Sequence, residues 1–496
     1  MNLKWRIILN ILGLLLGLNG LFMLLGIPFS LYYGDGDLLA LLVSGGATTA
    51  FGAGMWFFTR GDSRGIRKRE GYVIVSLGWI VMSLSGCLPY ILSGTIPDFA
   101  GAFFETLSGY TTTGASVLTD IEAAPKGILF WRSVTHWIGG MGIIVLTIAI
   151  LPILGIGGMQ LFMAESPGPS ADKLHPRIQE TAKRLWLLYV ALTAVETIFL
   201  MLGGVSFYES ICHAFATVST GGFSTRNASV AAFGPYVQWV IIGFMFLSGI
   251  NFTLTFWGLR GKLDKIWKNE EFRYYLGLIL IATVVVAAGI VYNQGEFTER
   301  AVRDALFQVV AVVTTTGFVT ADFTVWSPLI TVIFFLLFFT GGSAGSTAGG
   351  VKIVRHIIIL KNSFLEFRRL IHPNAVVPVR LHKKAVTNTI TFNVLAFFMI
   401  YLGIFAVGAL VMAIILPDVS GMEGSGETWH RFSTAVGASA SCIGNVGPGF
   451  AGVGPVENYA WIPGGGKLFL AFQMLIGRLE LFTVLILFSP SFWRKN

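Results

Sequence analysis

The chain has 496 residues, of which 54% are hydrophobic and only 12% charged, and its mean hydropathy is +0.73. A soluble surface draws on roughly 25% charged residues, so a soluble enzyme, a nucleic-acid module and a secreted scaffold are excluded. The net charge of +8 then belongs to the loops of a polytopic membrane protein, where basic residues set topology.

A span needs about 20 apolar residues. The first is expected at residues 7–33; its apolar run is far longer than a signal-peptide core, so it reads as a retained span. A second is expected at 38–59, followed by RGDSRGIRKREG (60–71), which is too charged for lipid. Eight more are expected at 72–93, 131–154, 185–207, 236–257, 274–292, 329–341, 390–416 and 467–488. The eighth of the ten, 329–341, is short and runs into a Gly/Ser segment.

Basic residues gather at Lys4 and Arg6, in 60–69, 173–184, 260–273 and 352–384, and at Arg494 and Lys495, making 26 of the 34 in the chain. If ten spans alternate, all six segments lie on one side. The positive-inside rule makes that side the cytoplasm, with both termini inside. The opposite loops carry Asp35, Asp37, Asp98, Asp120, Glu122, Glu296, Glu299, Asp322, Asp418, Glu423, Glu427 and Glu457. These either form an acidic vestibule that concentrates cations or are simply solvated loops. Cys87, Cys212 and Cys442 have no metal or redox spacing and are expected to be buried thiols.

Four outer connections each hold an apolar half-helix that ends in small residues. They read FETLSGYTTTGAS (104–116), CHAFATVSTGGFS (212–224), FQVVAVVTTTGFV (307–319) and GASASCIGNVGPGF (437–450). Aligned, they bring Gly114, Gly222, Gly317 and Gly447 into register. A half-helix of a dozen residues is roughly 18 Å long, about half of a 30 Å hydrocarbon core. The irregular backbone after it must line a watery cavity or be sheltered by protein. Four such turns around one axis can present backbone carbonyls to a dehydrated monovalent cation, with four helix C-termini aimed at the centre. The expected ion-lining residues are Thr112, Thr113, Gly114, Thr220, Gly221, Gly222, Thr315, Thr316, Gly317, Asn445, Val446 and Gly447. No carboxylate stands among them, which suits a large, weakly hydrated ion such as K⁺.

Together with GGSAGSTAGGVKIVR (341–355) and GRLELF (477–482), these four segments resemble the Trk/Ktr/HKT superfamily of potassium transporters. The resemblance is closest to the transmembrane subunit of bacterial Trk uptake systems (TrkH/TrkG type) and covers nearly the whole chain. It implies an all-α polytopic membrane protein with four tandem membrane-pore-membrane repeats around one central pore, plus two extra N-terminal transmembrane helices. The divisions expected are 1–68 for those two helices, then 69–160, 161–260, 261–372 and 373–496 for the repeats. The resemblance further implies K⁺ uptake across the bacterial inner membrane, a bound and transported potassium ion, a homodimer in the lipid bilayer, and a cytosolic TrkA-type nucleotide-binding ring. No Rossmann-like segment is present, so such a ring would be a separate polypeptide.

Residues 341–350 (GGSAGSTAGG) are too glycine-rich to hold a helix. They are expected to form an intramembrane gate around Gly345, Ser346 and Thr347. Arg478, placed by its position near the middle of span 467–488, is expected to bond loop carbonyls and repel cations. The competing reading pairs Arg478 with Glu480. GSTAGGVK (345–352) is not a P-loop: its Lys is displaced and no strand precedes it. A serine hydrolase built on Ser343 or Ser346 would need His136 as base, and His136 is expected instead to be a packing residue. The alternative function is an ion-coupled (H⁺ or Na⁺) symporter, but such proteins usually carry inverted repeats, whereas these four share one orientation.

Overall fold

The computed structural model describes residues 3–61, 68–150, 178–372, 377–382, 384–418 and 425–494. The end of the expected span 131–154, the 160/161 division, Glu423, Lys495 and parts of three basic loops lie outside the described residues.

Among the described residues the chain is helical apart from one two-stranded hairpin, Arg380–Leu381 with Lys384–Ala385. Six helices are long and apolar enough to cross a membrane, and two bent helix pairs raise this to eight. The short Pro328–Leu337 and the 25-residue Lys126–Ile150 occupy the two remaining expected stretches. Large apolar side chains point outward, with Ile414 82% exposed. Such a surface is stable against hydrocarbon and not against water.

Trp5–Leu24 lies along Leu38–Phe58 because glycines remove the intervening side chains. A Cβ on Gly52 would stand 2.3 Å from Gly17 N, and one on Gly20 would stand 2.5 Å from Gly45 O. This is the small-residue packing that drives helix association where burial from water offers nothing. The pair is tied inward: Tyr110 OH donates to Asn19 Oδ1, and Asn19 Nδ2 donates to Ser85 Oγ at 2.9 Å.

The four half-helices are Phe99–Tyr110, Phe207–Val218, Glu299–Val313 and the longer Ser425–Gly444. The first three start at side-chain caps, Asp98, Ser206 and Thr298, each accepting a first-turn backbone N–H.

The helices that follow them do not run straight. Lys126–Ile150 carries Gly142 at φ 69°, outside helical values. Pro235–Ser248 turns through 112° into Phe252–Leu259, and Gly464–Arg478 turns through 110° into Phe482–Phe488. Pro328–Leu337 stops, and helix resumes at Ile353–Ile371. The sequence reading broke only the third of these, so spans 236–257 and 467–488 are corrected to bent pairs.

Basic segments touch one another in pairs: Arg6 donates to Arg60 O at 2.6 Å, Arg69 to Arg494 O at 3.4 Å, and His382 N to Glu270 at 3.0 Å. Two acidic loops contact the connections beside them. Asp35 accepts from Lys126 N at 2.8 Å, and Asp120 accepts from the Asn227 amide at 2.9 Å, which holds that carboxyl below its ordinary range.

Candidate functional site

All four half-helices end in the same turn. The residue two before each register glycine is left-handed: Thr112 (φ 50°), Thr220 (57°), Thr315 (55°) and Asn445 (54°). The next N–H reaches back five residues: Thr113 to Ser108 O, Gly221 to Ala216 O, Thr316 to Ala311 O and Val446 to Ser441 O, at 2.7–3.0 Å. This is the Schellman pattern that closes a helix, in which glycine usually takes the left-handed position. Here a β-branched threonine takes it in three cases, a genuine outlier of the kind that marks functional sites. The register glycines are left-handed too, at φ 81°, 84°, 74° and 103°.

The four turns form a closed ring. A Cβ on Gly114 would stand 2.2 Å from Gly221 O, one on Gly222 2.0 Å from Thr316 O, and one on Gly317 2.0 Å from Val446 O. One on Gly447 would stand 2.5 Å from Thr113 O, which returns to the first turn. Each register glycine thus faces the carbonyl oxygen of the next turn, and no side chain fits between them. The ring is also stitched by Asn445, whose Nδ2 donates to Thr113 Oγ1 at 3.0 Å and to Met474 O at 3.0 Å.

The fourth turn departs from the other three. Gly114, Gly222 and Gly317 are partly exposed, while Gly447 is buried. Its carbonyl accepts from Ser441 Oγ at 2.7 Å and from Tyr459 OH at 2.9 Å. Both lone pairs are taken, so the Gly447 oxygen expected to line the site is committed to protein hydroxyls.

Behind the ring lie charged and aromatic supports. The Arg132 guanidinium donates to Glu105 at 2.7 Å and to Ser224 O at 2.9 Å, and lies 3.5 Å from the centre of the Phe223 ring. Glu105 also accepts from Ser116 Oγ and Val117 N. Breaking a buried pair strands a charge at a cost of about 3–5 kcal/mol. Arg132→Met is therefore expected to lower the thermal unfolding midpoint in detergent far more than Arg226→Met, whose pair is half-exposed; equal midpoints for the two would contradict this. His136 Nδ1 donates to Gly109 O at 2.7 Å, Nε2 accepts from Phe223 N at 3.2 Å, and the ring stacks on Phe223. Both nitrogens are used between the first two turns, so His136 packs as expected and leaves no base for Ser343 or Ser346.

Below the ring, residues 341–350 have no helix. Gly349 N donates to Thr315 Oγ1 at 2.6 Å, so the loop hangs directly from the third turn. Thr347 Oγ1 lies 3.0 Å from Val218 O, at the foot of the second half-helix. Asn251, at the bend of the second pair, donates to Ala344 O at 2.7 Å, and Phe252 N donates to Gly345 O at 3.1 Å. Ser346 Oγ turns back onto Ser343 O. Arg478 is the last residue of its helix, at the bend, which corrects its expected mid-helix place. Its guanidinium donates to Thr347 O at 2.8 Å and to Gly139 O at 2.7 Å. Glu480 pairs instead with Arg355, at 2.5 Å, just past the loop. A cavity of about 180 Å³ lies here, lined by Gly345, Ser346, Thr347, Lys352 and Arg478 among others.

Sequence reading missed the left-handed threonines, the bends in the other three inner helices, and the Arg355–Glu480 pair. Two of the bends had a signal, in GMG (140–142) and SGIN (248–251). The threonines had none, because their type argues against the conformation they adopt. All three cysteines are free and buried, as expected.

The TrkH family, described as cation transport protein, matches residues 40–495. The chain is 40% identical over 504 aligned residues to the Trk system potassium uptake protein TrkH of Escherichia coli K12, covering 99% of this chain and 100% of the relative. The Trk system potassium uptake protein TrkG of the same organism is 34% identical, with 99% of each chain covered. The crystal structure of the potassium transporter TrkH from Vibrio parahaemolyticus matches with a TM-score of 0.86 at 35% identity, covering 99% of this chain and 100% of that one.

Proposed function

Because the chain belongs to the TrkH family of cation transport proteins, we propose that it takes up K⁺ across the inner membrane through the ring of four turns. It is a transporter and not an enzyme. The architecture that fits is four membrane-pore-membrane repeats around one pore, with the first two helices outside the repeat. The observation that carries the reading is the closed contact of each register glycine with its neighbour's carbonyl. Carbonyl oxygens gathered in one ring can replace the hydration shell of a weakly hydrated ion without a fixed charge. The oxygens proposed to hold K⁺ are those of Thr112, Thr113, Gly114, Thr220, Gly221, Gly222, Thr315, Thr316, Gly317, Asn445 and Val446. Crystals grown in Rb⁺ test the assignment. Anomalous peaks are expected on the axis within the ring, and peaks confined to the outer loops would contradict it.

Residues 345–347 and Arg478 form the gate below. The loop blocks the path, and the guanidinium adds a positive charge where a cation must pass. A coupled symporter is not favoured, because the four turns share one orientation along the chain, whereas such proteins usually carry inverted repeats.

A homodimer and a cytosolic nucleotide-binding ring complete the proposal. The helix Ile353–Ile371 leaves the gate loop and ends with Arg368 and Arg369 in its last turn, so a partner pulling on that end moves the loop directly. Reversing both charges (Arg368→Glu with Arg369→Glu) is expected to abolish co-purification with such a ring. A retained complex would contradict it and leave the basic face to anionic lipid, at about 1 kcal/mol per basic residue.

A further inference from the structure

The residue nine before each register glycine is Glu105, His213, Gln308 or Ala438. In three of the four turns this side chain reaches from the middle of the half-helix to the strand leaving the turn. Glu105 accepts from Ser116 Oγ at 2.9 Å and from Val117 N at 2.7 Å, the second and third residues past Gly114. His213 Nε2 lies 3.0 Å from Ser224 Oγ, the second residue past Gly222. Gln308 Nε2 donates to Thr320 Oγ1 at 3.3 Å, the third residue past Gly317. All three side chains are buried, at 0%, 1% and 1% exposure.

The histidine's chemistry is fixed by its surroundings. Nδ1 lies 2.7 Å from Glu209 O and must donate to it, so Nε2 is bare and accepts the Ser224 hydroxyl proton. Ser224 Oγ in turn accepts from Arg226 N at 3.0 Å. The ring is held edge-on to Phe233, at 5.0 Å between centroids, so it cannot swing away.

The fourth turn has Ala438, whose side chain cannot bridge. The two strands close directly instead: a Cβ on Gly437 would stand 2.5 Å from Phe450 N. Its exit is held by Ser441 Oγ, later in the half-helix, and by Tyr459 OH from outside it, both donating to the Gly447 carbonyl.

We propose that His213 and Gln308, like Glu105, are positioning residues that clamp the exit strand of each turn to its own half-helix, and so set the K⁺/Na⁺ selectivity of the ring. The argument rests on the ring being the selectivity filter. A left-handed threonine is strained, and persists only where the surroundings over-determine it. The half-helix fixes the entry to the turn through its Schellman bonds. At the exit the clamp joins bonds from neighbouring elements, such as Phe223 N to His136 and Arg132 to Ser224 O, and it alone among these comes from the turn's own half-helix. Released at that end, the carbonyls can close on the smaller ion, which costs discrimination before it costs conduction. A buried polar group so placed also imposes one geometry, since leaving it unpaired is expensive. Three chemistries fill one position, so the bond is what the position requires, not the residue.

The test is the reversal potential of the full-length protein in liposomes under bi-ionic K⁺/Na⁺. His213→Leu and Gln308→Leu are each expected to lower the permeability ratio by roughly two- to twelvefold, the range one net hydrogen bond carries. His213→Gln places the third turn's own clamp in the second turn and is expected to restore most of the ratio. Ser224→Ala removes the partner from the other side and keeps the half-helix intact, so it guards against a folding defect; it is expected to match His213→Leu. Wild-type ratios in His213→Leu, Gln308→Leu and Ser224→Ala would overturn the proposal, as would His213→Gln behaving like His213→Leu. Gly114→Ser separates the two ideas. If it lowers the ratio while the clamp variants do not, the clamp fails and the filter stands. If it too leaves the ratio unchanged, the filter reading fails.

Discussion

Gly114→Ser is expected to lower the K⁺/Na⁺ permeability ratio by about tenfold or more while the protein still reaches the membrane. Two effects combine at this position. Its φ of 81° lies where an L-residue rarely sits, at a cost of roughly 1–2 kcal/mol. Its new Cβ would stand 2.2 Å from Gly221 O, so the first and second turns must separate. A difference of about 1.4 kcal/mol between the two ions' binding is a factor of ten. Serine also brings a hydroxyl, a compact ligand that suits the smaller, more strongly hydrated Na⁺ better than a fixed carbonyl ring does. Reversal potentials measured at matched expression decide it, and an unchanged ratio would count against the ring as the filter. By the same geometry, Gly447→Ser is also expected to lower the ratio, since Gly447 has φ 103° and its Cβ would stand 2.5 Å from Thr113 O.

The second large effect is expected at the gate. Arg478→Ala should raise ⁸⁶Rb⁺ uptake by roughly an order of magnitude or more without changing selectivity. The wild-type guanidinium holds Thr347 O in the loop and Gly139 O in the helix after the first turn. A hydrogen bond to a charged group is worth about 1.5–3 kcal/mol, so removing this one frees the loop and removes the charge barrier together. Arg478→Lys is expected to fall between, because an ammonium carries the charge but cannot fork to both carbonyls. Deleting two residues within 343–347 should raise flux by the steric route alone. Lower or unaltered flux in both the Arg478→Ala and deletion variants would eliminate the loop as a gate.

Much of this was legible in the sequence, and the parts that were not fail for particular reasons. The four small-residue motifs announce themselves because glycine is needed where backbones meet, and a Cβ at any register position would overlap a neighbouring oxygen. The Gly341–Gly350 interruption is visible because five glycines in ten residues cannot hold a helix. The bend after Arg478 is invisible because it is made by Glu480 and Leu481, both left-handed at φ 55° and 56°. Neither residue type signals a turn, and tertiary contacts impose it. The competing Arg478–Glu480 pairing fails for a related reason: it assumes one helix, but the helix ends at Arg478, and the chain reversal carries Glu480 to Arg355. The clamp position was hidden because three residue types share it, and only the aligned structure shows that they make the same bond. Gly447 was expected to serve like its three counterparts, since nothing in GNVGPG reveals that Tyr459, twelve residues on, would take its carbonyl.

The central claim is that the ring of four turns selects K⁺, and the most direct measurement is the zero-current potential of the purified protein in planar bilayers or liposomes. With a tenfold KCl gradient balanced by NaCl on the dilute side, the account predicts a potential close to that of a K⁺-selective membrane. It further predicts that the potential moves toward zero in Gly114→Ser and stays at the wild-type value in Arg478→Ala, where only the conductance rises. A potential near zero in the wild-type protein, or one that shifts in Arg478→Ala and not in Gly114→Ser, would contradict it.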